Sequence, residues 1–300
     1  MHEFLQQLIN GLSLGAIYAL IALGYSMVYG LLKFINFAHG DVLMIGAFAG
    51  FYAAPVIHHY LPDPWMTTAA VLLWAMLLCA ILGVVIERLA YRPLRDQPKL
   101  AVLITSIGVS LLLSYGGQIL FGVNQKAFPD LLPPIRISLG QGVTMSGNHL
   151  LVIVVTLVLL VGLREIVLRT RFGLALRALS QNRDAASLMG VNSNAVISLT
   201  FAIGSALAGA AGVLYAMNIH SIEPLMGTLP GIKAFVAAVL GGIGSLPGAA
   251  VGGLLLGLTE CLLGGSFLSS YRDAIAFGIL IVILLIRPSG LFGSSAAEKV

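Results

Sequence analysis

The stretch LREIVLRTRFGLALRALSQNRDAASLMGVN, residues 163–192, decides how the rest of the chain is read. It is a basic insert between long apolar runs. It holds Arg164, Arg169, Arg171, Arg177 and Arg183, against 16 Lys and Arg in the whole sequence. Leu174, Leu176, Ala178, Leu179, Ala185, Leu188 and Met189 interleave with Arg177, Gln181 and Asp184, the pattern of an amphipathic helix. So elaborate an insert exceeds what is needed to turn a chain between two apolar runs. The segment 164–192 therefore reads as a docking surface for a soluble partner.

Outward from this insert the sequence is almost wholly apolar. Of 300 residues, 58% are apolar and only 9% charged, with a mean hydropathy of +0.99. So few charges could not cover so much apolar surface in water, which makes the chain an all-α, polytopic transmembrane helical bundle. No polar segment is long enough for a separate soluble domain, so 1–300 reads as one membrane domain. The 35 Gly residues show no collagen period and lie within the apolar runs, where small residues allow close helix packing. Gly11, Gly15 and Ala19, then Gly204, Ala208 and Gly212, then Gly244, Gly248 and Gly252 carry that spacing. The net charge of +4 is attributed to loop cations at the cytoplasmic face, not to nucleic-acid binding. No Lys or Arg precedes Lys33, so the first apolar run is expected to be an uncleaved span. Cys79 and Cys261 lie within apolar runs and offer no disulfide framework.

Apolar stretches of spanning length fall near 12–32, 41–57, 66–86, 100–121, 149–168, 194–217 and 274–286, with a longer region over 229–263. The run GGIGSLPG at 241–248 breaks that region into two shorter helices, both crossing or forming a re-entrant hairpin supported by protein. The expected total is eight to nine membrane helices. Arg88, Arg92, Arg95 and Lys99 join the five arginines of 164–192 in placing those two loops in the cytoplasm. The loops 58–65, 122–148 and 218–230 then face outward and the tail after Arg287 inward, while the side of the N-terminus stays open.

Polar residues inside the apolar sequence are few. Asn36, His39 and Asp41, with Gly40 among them, join the first two runs at or near membrane depth, where they need a cavity or one another. One reading is a half-helix starting near Asp41 that offers free amides to a ligand; the other is an interfacial turn with Asp41 as N-cap. Asn36, His39 and Asp41, together with Gly242 and Gly244 in the second break, are the candidate translocation-path residues. Glu260 is expected to bond a neighbouring helix, and Glu87 to pair with Arg88 at a helix end. His58, His59 and His149 have no partners at metal spacing, so no metal is assigned. The sequence holds none of the zinc-protease, nucleophile-elbow or Walker A signatures, so the chain is expected to be no enzyme.

Three segments together resemble the permease family of branched-chain amino acid ABC importers, the LivH/LivM type, and within it the LivH-like member. They are INFAHGD at 35–41 with 42–48, FGLALRA at 172–178 continuing through 185–192, and AAVLGGIGSLPGAAVGGLLLG at 237–257. The likeness runs from about residue 5 to 291. It implies a subunit of an ATP-driven importer for branched-chain or other hydrophobic amino acids in the bacterial inner membrane. It implies as partners a second, LivM-like permease, two cytoplasmic ATPase subunits carrying ATP and Mg, and an extracytoplasmic substrate-binding protein. The 172–192 segment matches the family's coupling segment. Gly173, Arg177, Ala178, Leu179 and Gly190 are the candidate coupling residues, with Leu176 and Leu179 expected to enter an ATPase cleft and Arg177 at its rim. A urea or amide permease of the same superfamily is the alternative, and a secondary transporter a more distant one.

Overall fold

Hydropathy places the long helices, and breaks in it place their ends. The computed structural model describes residues 2–138, 143–265, 269–287 and 289–293. The helices are α1 (His2–Leu32), α2 (His39–Tyr60), α3 (Pro64–Ile86), α4 (Lys99–Phe121), α5 (Gly147–Arg169), α6 (Arg171–Gln181), α7 (Arg183–Leu188), α8 (Ser193–Ile219), α9 (Thr228–Gly241), α10 (Leu246–Gly264) and α11 (Arg272–Ile286). A π-helical turn at Glu87–Tyr91 and a 3₁₀ turn at Arg92–Leu94 continue α3. Asp63, Ser146, Asn192 and Ser245 cap α3, α5, α8 and α10 by accepting from amides of the first turn.

Among the described residues 7 helices are long and apolar enough to cross a membrane: α1, α2, α3 with its extension, α4, α5, α8 and α10. The fold is the expected helical bundle, with a smaller count of full spans than the eight to nine read from sequence. The difference lies in α9 and α11, which have 14 and 15 residues. At 1.5 Å per residue they reach only about 21–23 Å, short of a hydrocarbon core of about 30 Å. Both are partial spans.

The packing is unequal. From Ala16 to Val28 every residue of α1 is buried, and α8 and α10 lie against it. Gly15 permits the α1–α10 approach, because a Cβ there would sit 2.9 Å from the Leu254 backbone. By contrast α3, α4 and α5 expose large apolar side chains such as Leu73, Leu112 and Val158. In a bilayer those faces meet lipid at no cost.

Side-chain contacts sort the ends of the helices. At one end Arg95 reaches Asn194 at 2.7 Å and Arg183 reaches Asp96 at 3.4 Å. Being the basic end, it is the cytoplasmic one by the charge rule. At the other, β1 (Lys126–Ala127) pairs antiparallel with β4 (Ser221–Ile222), and β2 (Arg136–Ser138) with β3 (Thr144–Ser146). The first ladder joins the loop after α4 to the loop after α8, and the second folds the loop after α4 back on itself. Gln6 bonds the Thr144 backbone, so the start of α1 lies at the outer end, a point that charge counting left open.

Candidate functional site

The first break follows α1. Lys33 takes a left-handed φ of 56°, and the chain turns back so that the His39 ring packs against Gly24, two turns inside the bundle. Thus α2 starts beside α1, two turns before the end of that helix. The N-cap of α2 is Ala38, not Asp41. Asp41 instead accepts hydrogen bonds from Ser110 and Ser114 of α4, each at 2.5 Å. Asn36 Oδ1 accepts from the Tyr91 hydroxyl at 2.5 Å. The His39 ring meets Tyr25 edge-on, its Nε2 without a hydrogen-bond partner. All three polar residues are buried and engaged by protein, so they fix the shape of the break and do not line an open channel in this conformation.

Gly40 lies against Gly227 and Gly231, so the starts of α2 and α9 touch inside the bundle. From there α9 runs to the second break at the basic end, where Gly242 and Gly244 adopt φ of 104° and 91°. The amides of Leu291 and Phe292 donate to the carbonyls of Leu240 and Gly241 at 2.9 Å, so the C-terminal segment clamps this turn. The two glycine calls thus fall on a true helix break, whose Ile243 lines one small cavity with Phe34 and Ile35 of the first break. A cavity of about 580 Å³ lies between this turn, the end of α1 and α6, with Lys33 and Arg177 in its lining.

The amphipathic segment folds as α6 and α7 at the same end. Gly173, Leu176 and Leu179 are buried against this chain's own helices. A Cβ on Gly173 would meet the Ile166 and Val167 carbonyls, so only glycine lets α6 approach the end of α5 this closely. Ala178 is half-buried beside them, and Arg177 donates to the Val167 carbonyl. The expectation that Leu176 and Leu179 would enter a partner's cleft, with Arg177 at its rim, is corrected: the apolar face found its burial within the chain. Leu174, Leu188 and Met189 face away instead, at 63%, 88% and 85% exposure. Gly190, at φ 83°, lets the chain turn after α7.

Two ionic groups complete the site. Glu87 is buried and paired with Arg95 and Arg92, not with Arg88 as expected, and accepts from Ser198 at 2.6 Å. This ties the π-helical turn to α8. Farther in, Lys233 Nζ of α9 donates to Glu260 Oε1 at 2.6 Å and lies 2.8 Å from Asp273 Oδ1, while the Tyr18 hydroxyl donates to Glu260 Oε2 at 2.9 Å. The bond from Glu260 to neighbouring helices was expected; Lys233, Tyr18 and Asp273 were missed. The signal was present, because Lys233 and Glu260 are the two opposite charges of the apolar region 229–263.

The family model described as "Branched-chain amino acid transport system / permease component" matches residues 7–284. The chain is 45% identical to the high-affinity branched-chain amino acid transport system permease protein BraD of Pseudomonas aeruginosa, over 100% of this chain and 99% of that one. It is 40% identical to the corresponding LivH of Escherichia coli, over 99% and 98% of the two chains. The ribose import permease protein RbsC of Haemophilus influenzae is 27% identical over 95% and 85%. No solved structure matches.

Proposed function

Because the chain belongs to the branched-chain amino acid transport permease family, we propose that it is the membrane subunit that carries branched-chain amino acids inward while separate subunits hydrolyse ATP. The match of the family model to residues 7–284 carries this reading, and it favours the amino-acid branch over a urea or amide permease. A LivM-like second permease would complete the pathway, two ATPase subunits would bind ATP and Mg at the basic end, and a binding protein would deliver substrate at the outer end. The bacterial inner membrane is the setting such an assembly requires.

Coupling is assigned to α6 and α7. The exposed side chains Leu174, Leu188 and Met189 supply apolar anchors for a groove on the ATPase, the helix-in-groove mode of recognition. Gly173, Arg177, Ala178, Leu179 and Gly190 act from behind, fixing these helices to the bundle so that movement of the ATPase is passed to α1, α5 and α8. The breaks at Asn36–His39–Asp41 and Gly242–Gly244 border the pathway, where partial helices leave backbone groups free to meet water or cargo.

The test is copurification of the ATPase and binding-protein-stimulated ATP hydrolysis in reconstituted vesicles. Leu188→Asp with Met189→Asp should leave the permease folded and lower stimulated hydrolysis at least tenfold. Leu179→Asp should instead unfold it, because an unpaired buried carboxylate costs several kcal/mol. Normal coupling in the exposed double variant would rule out this docking face.

A further inference from the structure

The ionic group on α9 lies far from either membrane surface. Lys233 is eight residues before the end of α9, and Glu260 is fourteen after the start of α10. Side chains lean toward the N-terminus of their own helix, outward for α9 and inward for α10. At 1.5 Å per residue the two meet about 15–20 Å above the cytoplasmic turn, near the middle of a core of about 30 Å. Asp273, at the start of the partial span α11, reaches the same level. The cluster is unevenly enclosed. Lys233 and Glu260 side chains are each 7% exposed, whereas Asp273 is 43% exposed and its neighbour Arg272 53%. The Asp273 Oδ1 that faces Lys233 is itself buried and makes no hydrogen bond among the described residues, so the exposure belongs to the rest of that side chain and to Arg272. Exposed charges at mid-depth cannot face hydrocarbon, so this side of α9 and α11 meets water, cargo or another protein. Leu229 and Ile232 are also exposed on α9, setting apolar surface near the charges.

We propose that Lys233 and Asp273 form a mid-membrane station for the zwitterionic head of the amino acid cargo, an inference that rests on the permease reading above. Lys233 has two carboxylate partners but needs only one. Glu260 is held additionally by Tyr18 and stays with it; Asp273 is the exchangeable partner. A cargo carboxylate replaces Asp273 at the Lys233 ammonium, and the freed Asp273 takes the cargo ammonium. Each ion pair that breaks is replaced by one of the same sign, no proton moves, and no net charge is added to a low-dielectric site. The apolar side chain of the cargo rests on Leu229 and Ile232. Such an exchange holds cargo weakly, as a pathway must.

The experiment uses the assembled importer in proteoliposomes with radiolabelled leucine. Asp273→Asn should lower the leucine moved per ATP hydrolysed at least tenfold, and Asp273→Glu should recover more than half of it. An unaltered ratio in Asp273→Asn overturns the station. A second measurement does not depend on that variant's assembly. Arg272→Cys should react with a water-soluble, membrane-impermeant thiol reagent above the level of the parent chain, and leucine delivered by the binding protein with ATP should slow the reaction several-fold. No labelling, or labelling unaffected by leucine, overturns the station while leaving the permease reading intact. A parent importer without ATP-dependent leucine uptake overturns the permease reading and the station with it.

Discussion

The two breaks in the bundle are held by different means. At 33–38 the chain leaves α1 and re-enters as α2 under side-chain bonds: Tyr91 to Asn36, and Ser110 and Ser114 to Asp41. At 242–245 the chain turns under backbone control, with two left-handed glycines, a Ser245 amide donating to the Gly242 carbonyl at 3.0 Å, and the clamp from Leu291 and Phe292. Inside a membrane each interrupted helix frees backbone groups that need partners. The first break can do without any one side chain at moderate cost, since its bonds are separate. The second keeps one side-chain bond, the Ser245 cap on α10, and at Gly242 has no room to gain a side chain. The comparison separates a break that can be tuned from one that can only be kept.

The largest effect is therefore expected at Gly242. A Cβ there would lie 2.5 Å from the Gly293 amide nitrogen and 2.9 Å from its Cα, in a backbone conformation at φ 104° that side chains disfavour. Gly242→Val should cost about 2–6 kcal/mol, combining backbone strain of ~1–3 with overpacking of ~1–3. Unfolding in detergent by denaturant titration measures it. A variant as stable as the parent would show that the tail is not clamped on the turn, and the contrast between the two breaks would collapse.

Asp41→Ala comes next. It removes the common acceptor of two α4 hydroxyls, for about 2–3 kcal/mol. Its distinctive result is local. Because α4 packs mostly against lipid and is joined to α2 by these bonds, hydrogen exchange over 99–121 should accelerate more than exchange over 246–264. Equal acceleration in both would mean that Asp41 supports the whole bundle and not one peripheral helix.

Much of this architecture was legible in the sequence, and the parts that were not have physical reasons. Hydropathy located the long helices because the bilayer selects length and composition, and GGIGSLPG marked the second break because glycine and proline stop helices locally. The partial spans were harder: depth depends on where the chain re-enters, and neither α9 nor α11 differs in composition from a full span. The amphipathic pattern of 171–181 told correctly that one face is buried but not by what, so Leu176 and Leu179 were assigned to a partner when the chain's own core covers them. Period alone cannot distinguish the two. The pairing of Glu87 with Arg92 and Arg95 depends on a π-helical turn, which shifts side-chain phase without a local sequence cue. Lys233 was readable in principle, since a lone lysine and a lone glutamate in one apolar region must find partners in order to be there at all.

The smallest effect is expected at Tyr91, and it tests the other half of the comparison. Tyr91→Phe keeps the ring, which packs edge-on against Phe34 at 5.3 Å and tilted against Phe201 at 5.5 Å, and removes only the hydroxyl bonded to Asn36. The loss should be about 1 kcal/mol, the scale of one neutral hydrogen bond in a membrane protein. If the first break is held by separable side-chain bonds, Asn36→Ala should add little once the hydroxyl is gone, so the double variant should be less destabilised than the sum of the singles. The same cycle between Tyr91→Phe and Asp41→Ala should be additive, because their bonds share no atom and engage different helices. Coupling between Tyr91 and Asp41 as strong as that between Tyr91 and Asn36 would make the break one cooperative unit, and the distinction from the glycine turn would then lie in chemistry alone and not in tolerance.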